Sequence, residues 1–263
     1  MPAKGVTGFA VPVFAPSTAR TVTEPTPPTA VVVTGGDPPR ADLLGRLLLP
    51  AERRVVVAAD SGVRHAVALG LRVDRAVGDF DSVDPALLDR VEAEGAVVER
   101  HPTAKDATDL ELALDAAMVH EPARLVVVGG HGGRLDHLLA NALVLASGRY
   151  AGATVEAVVG DALVSVARPG AAVVVHGRPD DVVTLLPVHG AAHGVRTAGL
   201  RYPLRDETLH EGSTRGVSNE LLGGEATVRL SAGVLLVVRP QPPPGPPEAS
   251  RPAIPPHPDR GDR

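Results

Sequence analysis

Gly78-Asp79-Phe80-Asp81-Ser82 sets two carboxylates one residue apart where an apolar run, Arg75 to Val77, gives way to a loop. Alternate side chains of an extended strand share a face, so Asp79 and Asp81 can aim at one point while Phe80 turns into the core. Converging carboxylates repel unless a cation sits between them, and hard oxygen ligands of this kind suit Mg2+ or Mn2+. An isolated pair of this spacing equally suits a turn or a cap. Its meaning therefore depends on what surrounds it.

Comparable punctuation follows four other apolar runs. Thr34-Gly35-Gly36-Asp37 comes after Val31 to Thr34, and Asp60-Ser61-Gly62 after Val55 to Ala58. Lys105-Asp106 follows Ala96 to Glu99, and Gly129-Gly130-His131-Gly132-Gly133-Arg134 follows Leu125 to Val128. Ligands of open parallel sheets bind beyond the carboxyl ends of the strands, so these stretches are predicted to share one rim. Thr108 with Glu111 forms a capping signature that starts a helix whose core stripe is Leu110, Leu114, Ala117 and Met118. Asp109 then lies in the first turn, off the buried face and able to look toward Asp79 and Asp81. Asp106 and Asp109 also suit capping and the helix dipole. Lys105, a lone cation beside these acids, is well placed to hold a phosphate. A second helix starts after Gly132 and Gly133, with Leu135, Leu138, Leu139, Ala142 and Ala146 as its predicted buried stripe and Arg134 and Asp136 facing outward. Glycines before a helix N-terminus let backbone N–H groups approach an anion, and Arg134 adds bidentate contacts, which makes a phosphate cradle. It is neither the P-loop nor the dinucleotide glycine pattern. His137 is expected to be structural, and Asn141 to cap or bridge neighbouring elements instead of touching substrate.

The elements that must position these groups change character once along the chain. From Val31 to about Gly148, short β-branched runs alternate with amphipathic stretches, the pattern of a largely parallel sheet buried on both faces. Residues 31–150 are thus expected to form a Rossmann-like α/β domain with a mostly parallel sheet. From Ala153 the helical periods vanish, and runs such as Ala162 to Ala167, Ala171 to His176, Val182 to Leu186, Glu225 to Leu230 and Val234 to Val238 point to an all-β sandwich over 151–239. Residues 1–30 and 240–263, rich in proline, are expected to be a disordered extension and tail. The apolar patch Phe9 to Ala15 has neither the length nor the basic lead-in of a membrane span or secretory signal. With 263 residues and 44% hydrophobic content the chain can bury a substantial core, while a net charge of -5 offers no footprint for nucleic acid. There is no cysteine, hence no thiolate chemistry, and a reducing cytoplasm is compatible. There is also no tryptophan, and with two tyrosines and three phenylalanines very few rings are available as stacking platforms.

Taken in order, Asp60-x-Gly62, Gly78 to Ser82, Lys105-Asp106-x-Thr108-Asp109-Leu110-Glu111, Gly132-Gly133-Arg134-x-Asp136-His137 and Gly212-Ser213-Thr214-Arg215-Gly216-Val217-Ser218-Asn219-Glu220 resemble the thiamine pyrophosphokinase family. The resemblance runs from roughly Val31 to Arg239. It implies an α/β domain that binds ATP and Mg2+, and a β-sandwich that binds thiamine at the interface of a cytoplasmic homodimer. The implied reaction transfers the pyrophosphoryl group of ATP to the hydroxyethyl oxygen of thiamine, giving thiamine diphosphate and AMP. By the same resemblance Asp79, Asp81 and Asp109 hold the metal, and Asp106 or Asp136 completes its shell or polarises the attacking hydroxyl. Asp60, Gly62, Lys105, Gly132, Gly133 and Arg134 serve the ATP phosphates. Ser218 and Asn219 match the family's Ser-Asn pair, and Tyr202 is the candidate platform for the cationic substrate, although a core aromatic would satisfy the same position.

The sequence departs from the family pattern at Ser61, where glycine is common, at Arg201, where lysine is common, and in both proline-rich ends. Other classes stay open at this level: a D-x-D nucleotide-sugar transferase, another hydroxymethyl pyrophosphokinase, or a non-catalytic ATP- or thiamine-binding regulator.

Overall fold

The computed structural model describes residues 26–48, 53–104 and 106–240. Of the predicted extension and tail, residues 1–25 and 241–263 lie outside the described residues, as does Lys105. Thr29 and Ala30 are buried in the first strand and Pro240 ends the last, so the expected disorder over 1–30 and 240–263 is wrong at those three positions. Six parallel strands form the first half of the molecule: β1 (Thr29–Val33), β2 (Arg54–Ala59), β3 (Arg75–Gly78), β4 (Val97–Arg100), β5 (Arg124–Val128) and β6 (Thr154–Val159). Between them run α1 (Ala41–Leu47), α2 (Gly62–Ala68), α3 (Pro85–Ala93), α4 (Asp109–Met118) and α5 (Leu135–Leu145).

β1 is buried at every position, and its residues sort by parity, as the two-residue period of a strand requires. Ala30 and Val32 pack with Leu110, Leu114 and Ala117 of α4, while Val31 and Val33 pack with Leu43 of α1, Val63 of α2 and Leu88 of α3. Two helical layers therefore cover the sheet, which explains why its strands read as unbroken apolar runs rather than alternating ones. β1 pairs with β2 on one side and β5 on the other, so the strand order reverses there. A crevice opens at such a switch point beyond the strand ends.

The sheet does not stop at the α/β half. β6 turns back through β7 (Ala162–Ala167), and β14 (Leu235–Pro240), β9 (Val182–Pro187) and β12 (Asn219–Glu220) extend it to ten strands. A second sheet of β8 (Val173–His176), β10 (Ala192–Ala198), β11 (Arg205–Leu209) and β13 (Glu225–Arg229) stacks on this antiparallel part. Leu185, Leu235 and Val237 meet Val195, Leu209 and Val228 between the layers, giving the predicted sandwich.

One predicted face is not buried. Leu135 and Leu139 of α5 are 68% and 56% exposed, with Leu143 beside them at 46%, whereas Leu145 and Ala146 are buried. Leu138 and Ala142 line an open apolar cavity of about 380 Å3 together with Val164, Leu186 and Leu236. The helix is apolar nearly all round, so its sequence period cannot say which side meets the sheet. Only its last turn docks closely.

Candidate active site

Asp60, at the end of β2, and Asp79 and Asp81, after β3, place carboxylate oxygens within 4.8 Å of one another. The convergence of Asp79 and Asp81 is the one expected from their spacing, but its cause differs. β3 ends at Gly78, and Phe80 has φ 59, so the chain turns through a left-handed residue instead of continuing as a strand. Such a conformation in an aromatic residue costs on the order of 1–3 kcal/mol and persists only where surrounding contacts enforce it. Here the Phe80 ring is buried under the guanidinium of Arg100, which lies 5.5 Å from its centroid. The Phe80 backbone N–H also donates to Asp60 Oδ1 at 3.1 Å, and Ser82 Oγ donates to Asp60 Oδ2 at 3.1 Å. Asp81 N–H closes the turn on Asp79 Oδ1 at 3.4 Å.

Asp60 is the member that spacing along the chain does not reveal, since it was matched to the ATP phosphates. The pairing of neighbouring strands would have found it: Ala59 lies opposite Val77 in the parallel register of β2 and β3, which sets the two strand ends side by side. Asp60 also borders an adjoining cavity of about 280 Å3 at the switch point, together with Ser61, Thr34, Gly35 and Gly36. Its other walls are Thr108, Asp109 and Leu110 at the start of α4, Gly130, Gly132 and Arg134 after β5, and His137 and Asn141 of α5. Asp109 thus faces the same cavity as Asp60 without belonging to the acidic cluster.

The two loops that flank the crevice are stitched together. Asp37 N–H donates to the His131 carbonyl at 2.7 Å, Gly130 N–H to the Gly35 carbonyl at 2.8 Å, and Asn141 Nδ2 to the Gly130 carbonyl at 3.3 Å. Asn141 is therefore the bridge expected of it. At Gly36, with φ 110, a side-chain methyl would lie 2.1 Å from the His131 carbonyl oxygen, so only glycine lets the loops meet. α4 begins as its capping signature predicts, with Thr108 Oγ1 accepting from Glu111 N–H at 3.2 Å. His137, expected to be structural, is exposed on the cavity wall.

Gly62 does not line the cavity. It opens α2, buried against β1, and a methyl there would sit 2.1 Å from the Val33 carbonyl oxygen. Gly62→Ala is expected to force the helix off the strand and cost about 1–3 kcal/mol, read as a lowered denaturation midpoint.

Arg134 and Asp136 are both exposed and form a fork: Nη2 to Oδ2 at 2.5 Å and Nε to Oδ1 at 3.2 Å. The hydrogen bond from Arg134 holds the Asp136 carboxyl down to about 2. A general base works best with a pKa near the working pH, so Asp136 in this pairing is a poor proton acceptor. A depressed carboxyl keeps its pairing above the ordinary carboxylate range and loses it only as pH falls toward the folded-state value. NMR titration should therefore find Asp136 protonating near pH 2, and Arg134→Gln should return it to the ordinary carboxylate range. Asp106 is exposed ahead of α4, and Gly133 is exposed ahead of α5.

The thiamine candidates stand elsewhere. Tyr202 is 54% exposed, which removes its reading as a core aromatic. Ser218 is also exposed, with its backbone N–H on Thr184 Oγ1 at 3.1 Å. Asn219, by contrast, is buried in β12.

The geometry defines a class of site: three converging carboxylates that could hold a hard cation, beside a glycine-lined crevice, on a doubly wound sheet continued into a β-sandwich. Comparison with known proteins is specific. Residues 48–156 match the thiamin pyrophosphokinase catalytic domain, and residues 173–235 match the thiamin pyrophosphokinase vitamin B1 binding domain. A thiamine pyrophosphokinase of Bacillus subtilis (strain 168) is 28% identical over 188 residues, which is 72% of this chain and 88% of that protein. The crystal structure of thiamine pyrophosphokinase from Bacillus subtilis superposes with a TM-score of 0.71 at 28% identity, covering 82% of this chain and 100% of that one. That of thiamin pyrophosphokinase from Geobacillus thermodenitrificans gives a TM-score of 0.65 at 30% identity, covering 81% and 98%. The chain belongs to the thiamin pyrophosphokinase family. It is an enzyme of that family, and among its described residues no helix is long and apolar enough to cross a membrane.

Proposed function

We propose that the chain catalyses ATP-dependent formation of thiamine diphosphate in the cytoplasm, with the acidic cluster and the crevice beside it as the reacting centre. The observation that carries this reading is the joining of Asp60, Asp79 and Asp81 within 4.8 Å at the border of the switch-point cavity, inside the span of the catalytic-domain match. The hydroxyethyl oxygen of thiamine attacks the β-phosphorus of ATP. The bond from that phosphorus to the α–β bridging oxygen breaks, AMP leaves with the oxygen, and the hydroxyl proton passes to a base or to water. Such transfers depend on positioning and on neutralising phosphate charge more than on covalent work by the protein.

The donor set fits a hard divalent cation, since carboxylate oxygens alone make up the cluster. Asp60, Asp79 and Asp81 would hold Mg2+, with Asp109 on the wall of the adjoining cavity as a further ligand, and the ion would supply charge neutralisation to the phosphates. Arg134, released from Asp136, and the backbone of Gly132 and Gly133 bind phosphate oxygens; Lys105 is assigned the same task. Asp106 stays available to polarise the hydroxyl.

Tyr202 and Ser218 receive thiamine, and the sheet order argues that they do so for a partner subunit. β12, on which the Tyr202 loop rests, is seven strand spacings from β2. At about 4.8 Å per spacing this is roughly 34 Å along the sheet, too far for both groups to touch one thiamine molecule. A homodimer that pairs the crevice of one copy with the sandwich of the other resolves this, and the exposed Leu135, Leu139 and Leu143 stripe beside the crevice gives such a dimer an apolar surface to bury.

Incubation with ATP, Mg2+ and thiamine, each omitted in turn, tests the assignment. AMP release that requires every component supports it. ADP release, or AMP release without thiamine, opposes it. A nucleotide-sugar transferase is not favoured, because both halves of the chain match this family. A non-catalytic regulator is disfavoured by the intact acidic cluster.

A further inference from the structure

We infer that Asn219 acts as a positioning residue, a splint that fixes Tyr202 for substrate, instead of contacting thiamine itself. The inference rests on the reading of Tyr202 as the thiamine platform. Asn219 Oδ1 accepts from Tyr202 N–H at 3.0 Å and from Glu220 N–H at 2.9 Å, while Nδ2 donates to the Tyr202 carbonyl at 2.7 Å. The opposite amide orientation would set NH2 against two N–H donors, so the hydrogen-bond pattern allows one assignment. Asn219 is 6% exposed and held in β12 against Val183, so its amide points at the neighbouring loop from inside the protein.

The consequence falls on an exposed ring. A side chain with little packing of its own is ordered only as well as its backbone, and both backbone polar groups of Tyr202 end on Asn219. Pro203 narrows the same residue toward extended backbone. The loop edges are fixed too, by Arg201 N–H on the Glu220 carbonyl at 2.8 Å and Leu222 N–H on the Gly199 carbonyl at 2.9 Å. A platform ordered before substrate arrives avoids the cost of ordering it on binding.

The test uses the two tyrosines of the chain, Tyr150 and Tyr202, labelled as 3-fluorotyrosine in the intact enzyme. Tyr202→Phe assigns the two 19F signals. Asn219→Ala is expected to shift or broaden the Tyr202 signal and leave Tyr150 unmoved. It should also raise the KM for thiamine about tenfold, with kcat and the KM for ATP little changed. In a Tyr202→Ala background the same substitution should add less than about twofold, because both changes act through one ring. Asn219→Asp, of nearly equal size, replaces the donor to the Tyr202 carbonyl with a charged oxygen that repels it, and gives the same readout if the alanine variant folds poorly. An unmoved Tyr202 signal, or losses that multiply in the double variant, would overturn the inference and make Asn219 a direct contact. If the Tyr202 signal moves while Tyr202→Ala leaves thiamine use intact, the splint stands and the thiamine reading of Tyr202 fails.

Discussion

Asp79→Asn should lose at least about a thousandfold in turnover while keeping its circular dichroism and melting transition, a loss equivalent to about 4 kcal/mol of transition-state stabilisation. Asp60→Asn should fall by a similar factor, which is the sharper expectation, because Asp60 owes its place in the acidic cluster to the register of β2 and β3. Asparagine keeps the size of the side chain and an acceptor for Phe80 N–H. It removes the charge and turns an NH2 toward one of the groups that now donate to it. Mn2+ binding, followed by electron paramagnetic resonance, should weaken in both variants. Turnover within a few fold of wild type with unchanged metal binding would remove Asp60 from the metal set and return it to a phosphate-loop role.

The second large effect comes from mixing two crippled proteins. Asp79→Asn homodimers lack the reacting centre, and Tyr202→Ala homodimers are expected to be roughly tenfold impaired at low thiamine through loss of the ring face. After subunit exchange, random pairing makes half the dimers mixed, and each mixed dimer carries one site with both defects and one with neither. Activity at low thiamine should therefore recover to about one quarter of wild type by this symmetry argument. If one chain supplied the whole site, mixing would restore nothing beyond the average of the parents. The expectation follows from the placement of the Tyr202 loop and the acidic cluster toward opposite ends of a ten-stranded sheet.

What could be seen in the sequence was what local pattern determines. β1, β2 and β5 read correctly because strands buried on both faces are continuous apolar runs, and α4 starts where Thr108 and Glu111 cap it. β10 and β11 were not picked out, since Arg196, Asp206 and Glu207 break any apolar alternation, and β12 is too short to leave a pattern. The remaining surprises are nonlocal. Asp60 meets Asp79 only through strand pairing, and Phe80 takes a backbone conformation that its residue type disfavours. Asn219 spends its amide on a residue seventeen positions away. The exposed outer face of α5 could not be foreseen, because apolar residues occur nearly all round the helix and the periodicity holds little preference to read.

The most direct measurement follows one atom. ATP carrying 18O in the α–β bridge is supplied with Mg2+ and thiamine, and the products are weighed by mass spectrometry. A single pyrophosphoryl transfer at the β-phosphorus predicts labelled AMP and thiamine diphosphate in equal amounts, with no ADP and no thiamine monophosphate on the way. ADP accumulating with thiamine monophosphate, or thiamine recovered unchanged, would contradict the account.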